Sequence, residues 1–225
     1  MVTNLAYFYE TSQKTRGGKW VWVKDSNGEM RGNVLLGGTI LNPKKGFDHL
    51  YAAQLVQYTP AQGCLIFRSF GVKTATSAAT DTTIYINGDG YGDAPEVGML
   101  IMKAPSAANG TGQSAVVTDV VYDETNEKFA VTLSVALGSL AVGDILVEAA
   151  GEEASASANV LVPKPNTFIE ADRDLMPTEG FGLTGKANYS ISTVYNKQAW
   201  IARMQPLPAY VLANNRSLID GIFWI

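Results

Sequence analysis

One cysteine and one histidine among 225 residues leave this chain without the parts of most active sites. A lone Cys64 admits no disulfide within the chain and gives no sign of redox compartment. His49 stands beside Asp48 with no serine or cysteine in a matching context, so nucleophilic hydrolysis lacks its usual base. One His and one Cys cannot by themselves build a conventional zinc site. The Gly-x-x-x-x-Gly-Lys and Gly-x-Gly-x-x-Gly spacings occur together at Gly180–Lys186, but Ala187 stands where a phosphate cradle needs Ser or Thr after the Lys. The 21 acids allow a carboxylate pair by arithmetic alone, and none stands out. The expectation is a protein that is not an enzyme, with no catalytic residue, no cofactor and no metal.

Charge is scarce as well. Charged residues make up 17% of the chain, below the usual quarter. The formal net charge of −4, with no basic run, disfavours nucleic acid and anionic membranes as partners. No apolar run approaches the length of a membrane-spanning helix. The start Met1-Val-Thr-Asn-Leu5 lacks the basic residues and apolar block of a signal peptide. A soluble protein made in the cytoplasm is expected. What the chain has in abundance is small residues (Gly, Ala, Ser, Thr), a composition common in proteins that work as surfaces within assemblies. Its 46% hydrophobic content suffices for the core of one or two domains.

The stretch from Cys64 to Ala150 holds one short phrase twice. Thr82-Thr-Ile-Tyr-Ile86 leads through a loop to Glu96-Val-Gly-Met-Leu-Ile-Met102. Phe129-Ala-Val-Thr-Leu-Ser-Val135 leads to Ala141-Val-Gly-Asp-Ile-Leu-Val147. A β-rich run, a turn, Val-Gly and an apolar run recur in the same order. Two such units suit pseudo-symmetric halves of one small barrel, since a lone hairpin is at best marginally stable. Between them, Ser114 to Ala136 alternates with period two on both sides of Asp123-Glu-Thr-Asn126, which predicts a β-hairpin. Phe129, Val131, Leu133 and Val135 share one face of its return strand.

Elsewhere the patterning is weaker. Residues 1–18 read as an arm, polar and Gly-ended from Thr11. Trp20-Val-Trp-Val23 alternates as a strand, Asp25-Ser-Asn-Gly28 supplies a turn, and Glu29 to Leu36 returns. Trp20 and Trp22 fit either core packing or an anchor on a partner subunit. Asp48 to Tyr58 fits a short helix or a strand, with the strand favoured. Thr74–Asp81 and Ala104–Gly112 are loops. Asn87-Gly-Asp-Gly-Tyr-Gly-Asp93 faintly resembles a calcium loop but lacks its spacing and closing Glu, and a Gly-rich turn explains it more simply. Gly151–Asn159 reads as a linker or an exposed turn. Tyr189–Tyr195 and Gln198–Met204 read as strands, and Ala209–Leu218 as a short helix started by Pro208. Gly221-Ile-Phe-Trp-Ile225 would fray unless docked on its own barrel or a neighbour.

The expected fold is therefore all-β: a small central β-barrel with flanking hairpins or arms and a short C-terminal helix. The division is an N-terminal arm and hairpin region over 1–63, the barrel over 64–150, and a linker, C-terminal strands, helix and apolar tail over 151–225. Tyr7, Phe8, Trp20, Trp22, Phe223 and Trp224 are the candidate interface residues, because aromatics at the chain ends must be buried somewhere.

The order Phe67-Arg-Ser-Phe-Gly-Val72, Thr82-Thr-Ile-Tyr-Ile86, Glu96-Val-Gly98, Ala141-Val-Gly-Asp-Ile-Leu-Val-Glu-Ala-Ala150 and Leu161-Val-Pro-Lys-Pro-Asn166 resembles a family of tailed-bacteriophage structural proteins. These are head fibre, head decoration or auxiliary capsid proteins. The ending fits too, with Ala199-Trp-Ile-Ala-Arg203, a Pro-Leu-Pro turn, a short helix and an apolar terminal strand. The resemblance covers roughly residues 64–225; residues 1–60 and the Asn87–Asp93 insertion depart from it. It implies a non-enzymatic virion protein on the capsid exterior, bound to the major capsid protein as a homo-oligomer (dimer or trimer). A fibre protein or a host surface glycan would be a further partner. The rival classes are a carbohydrate- or receptor-binding module that uses Tyr and Trp faces, and a polysaccharide-degrading enzyme with two carboxylates.

Overall fold

The computed structural model describes residues 15–16, 19–20, 34–44, 48–59, 63–90, 93–152, 156–169, 173–175, 187–194, 198–199, 204–213 and 223–224. Their contacts form two compact units. One draws on Met1–Ile66, Lys164–Met204 and Asn214–Ile225, the other on Phe67–Pro163 and Gln205–Ala213. Each contains a closed barrel, so the all-β expectation holds, and there are two barrels rather than one. Their strands, numbered in chain order, are β1 (Val34–Ile40), β2 (Leu55–Thr59), β3 (Gly63–Ile66), β4 (Ser69–Thr74), β5 (Thr83–Asn87), β6 (Leu100–Lys103), β7 (Ser114–Asp123), β8 (Lys128–Leu133), β9 (Ile145–Glu148), β10 (Thr167–Ile169) and β11 (Ala187–Val194).

The six-stranded barrel closes in the order β7-β8-β5-β4-β9-β6, all neighbours antiparallel. It is two β-β-β halves, β4-β5-β6 and β7-β8-β9, and exchanging them leaves every pairing in place. The correspondence reaches individual bonds. Gly98 N–H donates to Val117 O and Gly143 N–H to Val72 O, while Val117 N–H donates to Met99 O and Val72 N–H to Asp144 O. Each Val-Gly forms a turn, closed by Met99 N–H to Glu96 O and by Asp144 N–H to Ala141 O. The glycines have φ of 90° and 87°, the left-handed region that L side chains resist. The recurring phrase thus marks a real internal repeat.

The expected hairpin is β7-β8, and Val131 and Leu133 point into the core. Strict alternation fails on its first strand. A bulge at Thr118 lets Val117 and Val120 both pack inward, leaving Val121 on the surface. The same irregularity recurs at Lys73 between β4 and β5. The core joins both halves through Phe70, Val72, Ile84, Ile86 and Ile101 with Ala115, Val117, Val131, Leu133 and Leu146.

A Cβ added at Gly143 would meet nothing within 4 Å, so backbone strain alone opposes a side chain there. Gly143→Ala should cost about 1–2 kcal/mol, the penalty of an L residue held left-handed. Urea unfolding checks it, and an unchanged midpoint would mean that the turn relaxes.

The five-stranded barrel closes as β10-β11-β1-β3-β2, antiparallel except for β1 beside β3. Its core gathers Ile40, Leu50, Val56, Cys64, Ile66 and Ile169. Two asparagine side chains complete its strands by imitating a neighbouring backbone. Asn42 accepts from Ile66 N–H and donates to Ile66 O, both at 2.8 Å. Asn166 accepts from Tyr58 N–H and donates to Tyr58 O, again at 2.8 Å.

Several expectations are settled or corrected here. Asp48–Tyr58 is strand, not helix, in two pieces separated by a turn at Ala52–Ala53. Val34–Leu36 pairs with Ile191–Thr193, and the turn expected at 25–28 lies outside the described residues. Of the linker and the exposed turn expected over Gly151–Asn159, the described residues fit the exposed turn and stay with the six-stranded unit. Ala158–Asn159 pairs with Thr111–Gly112, and Leu161 N–H donates to Glu148 O, just beyond the pairing of the barrel's last strand with Ser69. The helix α1 covers Ala209–Ala213, with Leu212 N–H bonded to Pro208 O, and 214–218 lie outside the described residues.

Candidate functional site

The residues that a catalytic reading would need are placed by the five-stranded unit. His49 lies in the short strand Asp48–Leu50, in register with Asp174 of Arg173–Leu175, and its ring meets Tyr51 edge-on at 4.5 Å. Cys64 is buried in β3 among core aliphatics. Among the described residues, no group of three or more His, Cys, Asp or Glu side chains is arranged to hold a metal ion.

The six-stranded unit has a buried charge cluster that sequence patterning missed. Arg68 is 0% exposed, with Asp93 at 2% and Glu148 at 8%. The register pairing Val147 with Ser69 sets Glu148 across from Arg68, and Nη1 reaches Glu148 Oε2 at 3.3 Å. Asp93 Oδ2 lies 4.0 Å from Arg68 Nε. The final carboxylate of the Asn87–Asp93 segment thus turns inward to the guanidinium, while Asp89 stays on the surface. The one sequence signal for this was an Arg set inside the apolar run Phe67–Phe70. Two distant carboxylates against one guanidinium hold a strand end in place; nothing reactive is exposed by them.

The surface chemistry lies in turns and in one hairpin. Val97 is 51% exposed and Val142 68%, each the residue before the turn glycine in its own half. Since β6 and β9 run antiparallel, the turns that precede them lie at opposite ends of that strand pair. Val121 and Tyr122 are exposed on the β7-β8 hairpin, with the Tyr122 ring 4.8 Å from Phe129. The turn before β9 is stiffened by Asp144. Partial burial pushes its carboxyl up, but hydrogen bonds from Lys103 and Ala141 N–H, together with the lysine charge, outweigh that and hold it below the usual carboxylate range.

Of the interface residues expected from sequence, Tyr7, Phe8 and Trp22 lie outside the described residues. Trp20 is in the strand Lys19–Trp20, paired with Thr15–Arg16. Phe223–Trp224 forms a two-residue strand parallel to Gln198–Ala199, and the rest of the apolar end lies outside the described residues. The exposed valines were missed because a Val-Gly dipeptide reads as strand until the positive φ of its glycine is known.

No family model matches the chain, and neither a curated protein nor a solved structure matches it.

Proposed function

We propose that the chain is a structural virion protein that sits on the outside of a tailed-phage capsid and stabilises it by contacts with the major capsid protein. The observation that carries this reading is the pair of exposed valines, Val97 and Val142, at equivalent turns of one closed barrel. A closed barrel has no free strand edge to offer a partner. Its contacts must come from side chains on turns and outer faces, and large aliphatics at opposite ends of a strand pair suit attachment to two neighbours. Burying each contributes on the order of 1.5–3 kcal/mol. The order of segments, which resembles that of head decoration and head fibre proteins, supports the same reading. The inward-facing Arg68 cluster supports a role in contact rather than catalysis.

Fractionation and cryo-electron microscopy of purified virions test it directly: the protein should copurify with capsids and occupy symmetric exterior positions. Changing both valines, Val97→Asp and Val142→Asp, should lower binding to capsids by about tenfold or more, since 1.4 kcal/mol is already tenfold. Thermal melting should barely move, because both side chains are in solvent. Full occupancy by the double variant, or absence of the protein from virions, would overturn the reading.

A further inference from the structure

We infer that the β4-β5 loop of the six-stranded barrel forms a binding cleft for an uncharged glycan. The inference goes beyond capsid attachment and does not depend on it.

The two halves of the barrel stop matching at one loop. In the second half, β7 continues past its bulge to Asp123 and turns into β8 at Lys128. In the first half, β4 ends at Thr74, just past the equivalent bulge, and residues 75–82 depart before β5 begins at Thr83. A repeat preserves what the barrel needs to close, and this loop is not part of closure. With Thr74 and the start of β5 it lines an open cleft of about 530 Å³, within the volume range of small-molecule sites.

The loop is rigid. Asp81 Oδ2 accepts from Ser77 N–H, Ser77 Oγ and Ala78 N–H, each at 2.8 Å. Thr76 ties it to the barrel by donating its N–H to Leu140 O and accepting Leu140 N–H at 2.9 Å. The hydroxyls of Thr74, Thr80, Thr82 and Thr83 line the cleft and bond to no other described residue. Each can donate one hydrogen bond and accept others. Four hydroxyls on a preformed frame match a ligand that carries many hydroxyls, and little ordering cost remains on the protein side. Tyr85 supplies apolar surface for sugar C–H groups, its ring fixed by Lys128 Nζ at 4.2 Å from the centroid.

Charge decides which sugars fit. Among the described residues Asp81 is the one charged residue lining the cleft, and the Lys128 ammonium over Tyr85 is already paired with Asp123 at 3.9 Å. The Ala78 N–H and the Ser77 hydroxyl hold its carboxyl below the usual range, so it stays ionised at neutral pH. A sialylated or sulfated glycan would meet that charge, and a neutral one would not.

The test is a titration of isotope-labelled full-length protein, following backbone amide shifts. The probes are neutral oligomers of glucose, galactose and N-acetylglucosamine, and a sialylated trisaccharide. At least one neutral oligomer should give saturable shifts concentrated at residues 74–85, and the sialylated probe should give none there. Removing two hydroxyls with Thr82→Val and Thr83→Val should weaken binding by about tenfold while amides elsewhere keep their positions. Failure of every neutral oligomer to shift these residues would overturn the inference. So would equal binding by the double valine variant, or tighter binding of the sialylated probe.

Discussion

Replacing Arg68 with leucine is expected to destabilise the six-stranded unit by about 3–5 kcal/mol, the usual cost of removing one partner from a buried ion pair. The guanidinium is fully buried beside Glu148 and Asp93, which are themselves almost without solvent. Arg68→Leu would take a buried counter-charge away from two carboxylates in a low-dielectric interior, and ionised groups there are costly. The comparison that isolates this cause adds Glu148→Gln and Asp93→Asn to the leucine variant. With the charges gone, most of the lost stability should return, since apolar or neutral replacements of a whole buried cluster are often tolerated. Urea unfolding, followed at the midpoint with the slope held common, measures both. If Arg68→Leu costs less than about 1 kcal/mol, the cluster is not what fixes the strand end. If the triple variant is no better than the single, lost packing rather than uncompensated charge is the cause.

The same cluster shows how far the sequence could be read. The β7-β8 hairpin was legible because its partners lie a few residues apart and both strands alternate around one turn. The repeat was legible in Val97-Gly98 and Val142-Gly143, because the same turn needs the same left-handed glycine in each half. Arg68 was not, because its partner Glu148 is 80 residues away and an isolated arginine reads as a surface residue. The five-stranded barrel was hidden for the same reason. Its closure joins β1 to β11 and uses Asn166 to complete a strand 108 residues earlier, at Tyr58. Local periodicity says that a segment is strand but not which distant segment it meets. Thr118 adds a separate limit, since a single bulge residue moves the inward face by one position and places Val121 outside.

Gln205–Ala213 is the segment least expected in the six-stranded unit, since the chain leaves that unit at Pro163. Gln205 Nε2 donates to Phe67 O, Ser69 Oγ donates to Pro206 O, and Leu207, Tyr210 and Val211 are buried. Gly71 makes room for the strap: a Cβ there would lie 3.3 Å from Pro206 Cγ and 2.9 Å from Asn87 Nδ2. The matching position in the other half is Val116, so the glycine follows from the close approach of Pro206 and Asn87 rather than from the turn chemistry of the repeat. Tyr210 is the largest side chain that the strap buries. Tyr210→Ala should therefore cost about 3–5 kcal/mol, the range for a buried aromatic cut back to alanine. Leu212→Ala, at an exposed position of the same helix, should stay within about 0.5 kcal/mol. A second measurement separates packing from ionisation. Burial pushes the Tyr210 phenol well above its ordinary value of 10.0. A phenol whose folded pKa is raised contributes stability that is complete below the unfolded value and is lost as pH rises through the folded one. Tyr210→Phe cannot ionise, so wild type should lose stability relative to this variant as pH climbs above 10 and should track it between pH 6 and 9. Equal alkaline behaviour of the two proteins would mean that the phenol reaches solvent, and a Tyr210→Ala variant as stable as wild type would mean that the strap does not anchor the barrel.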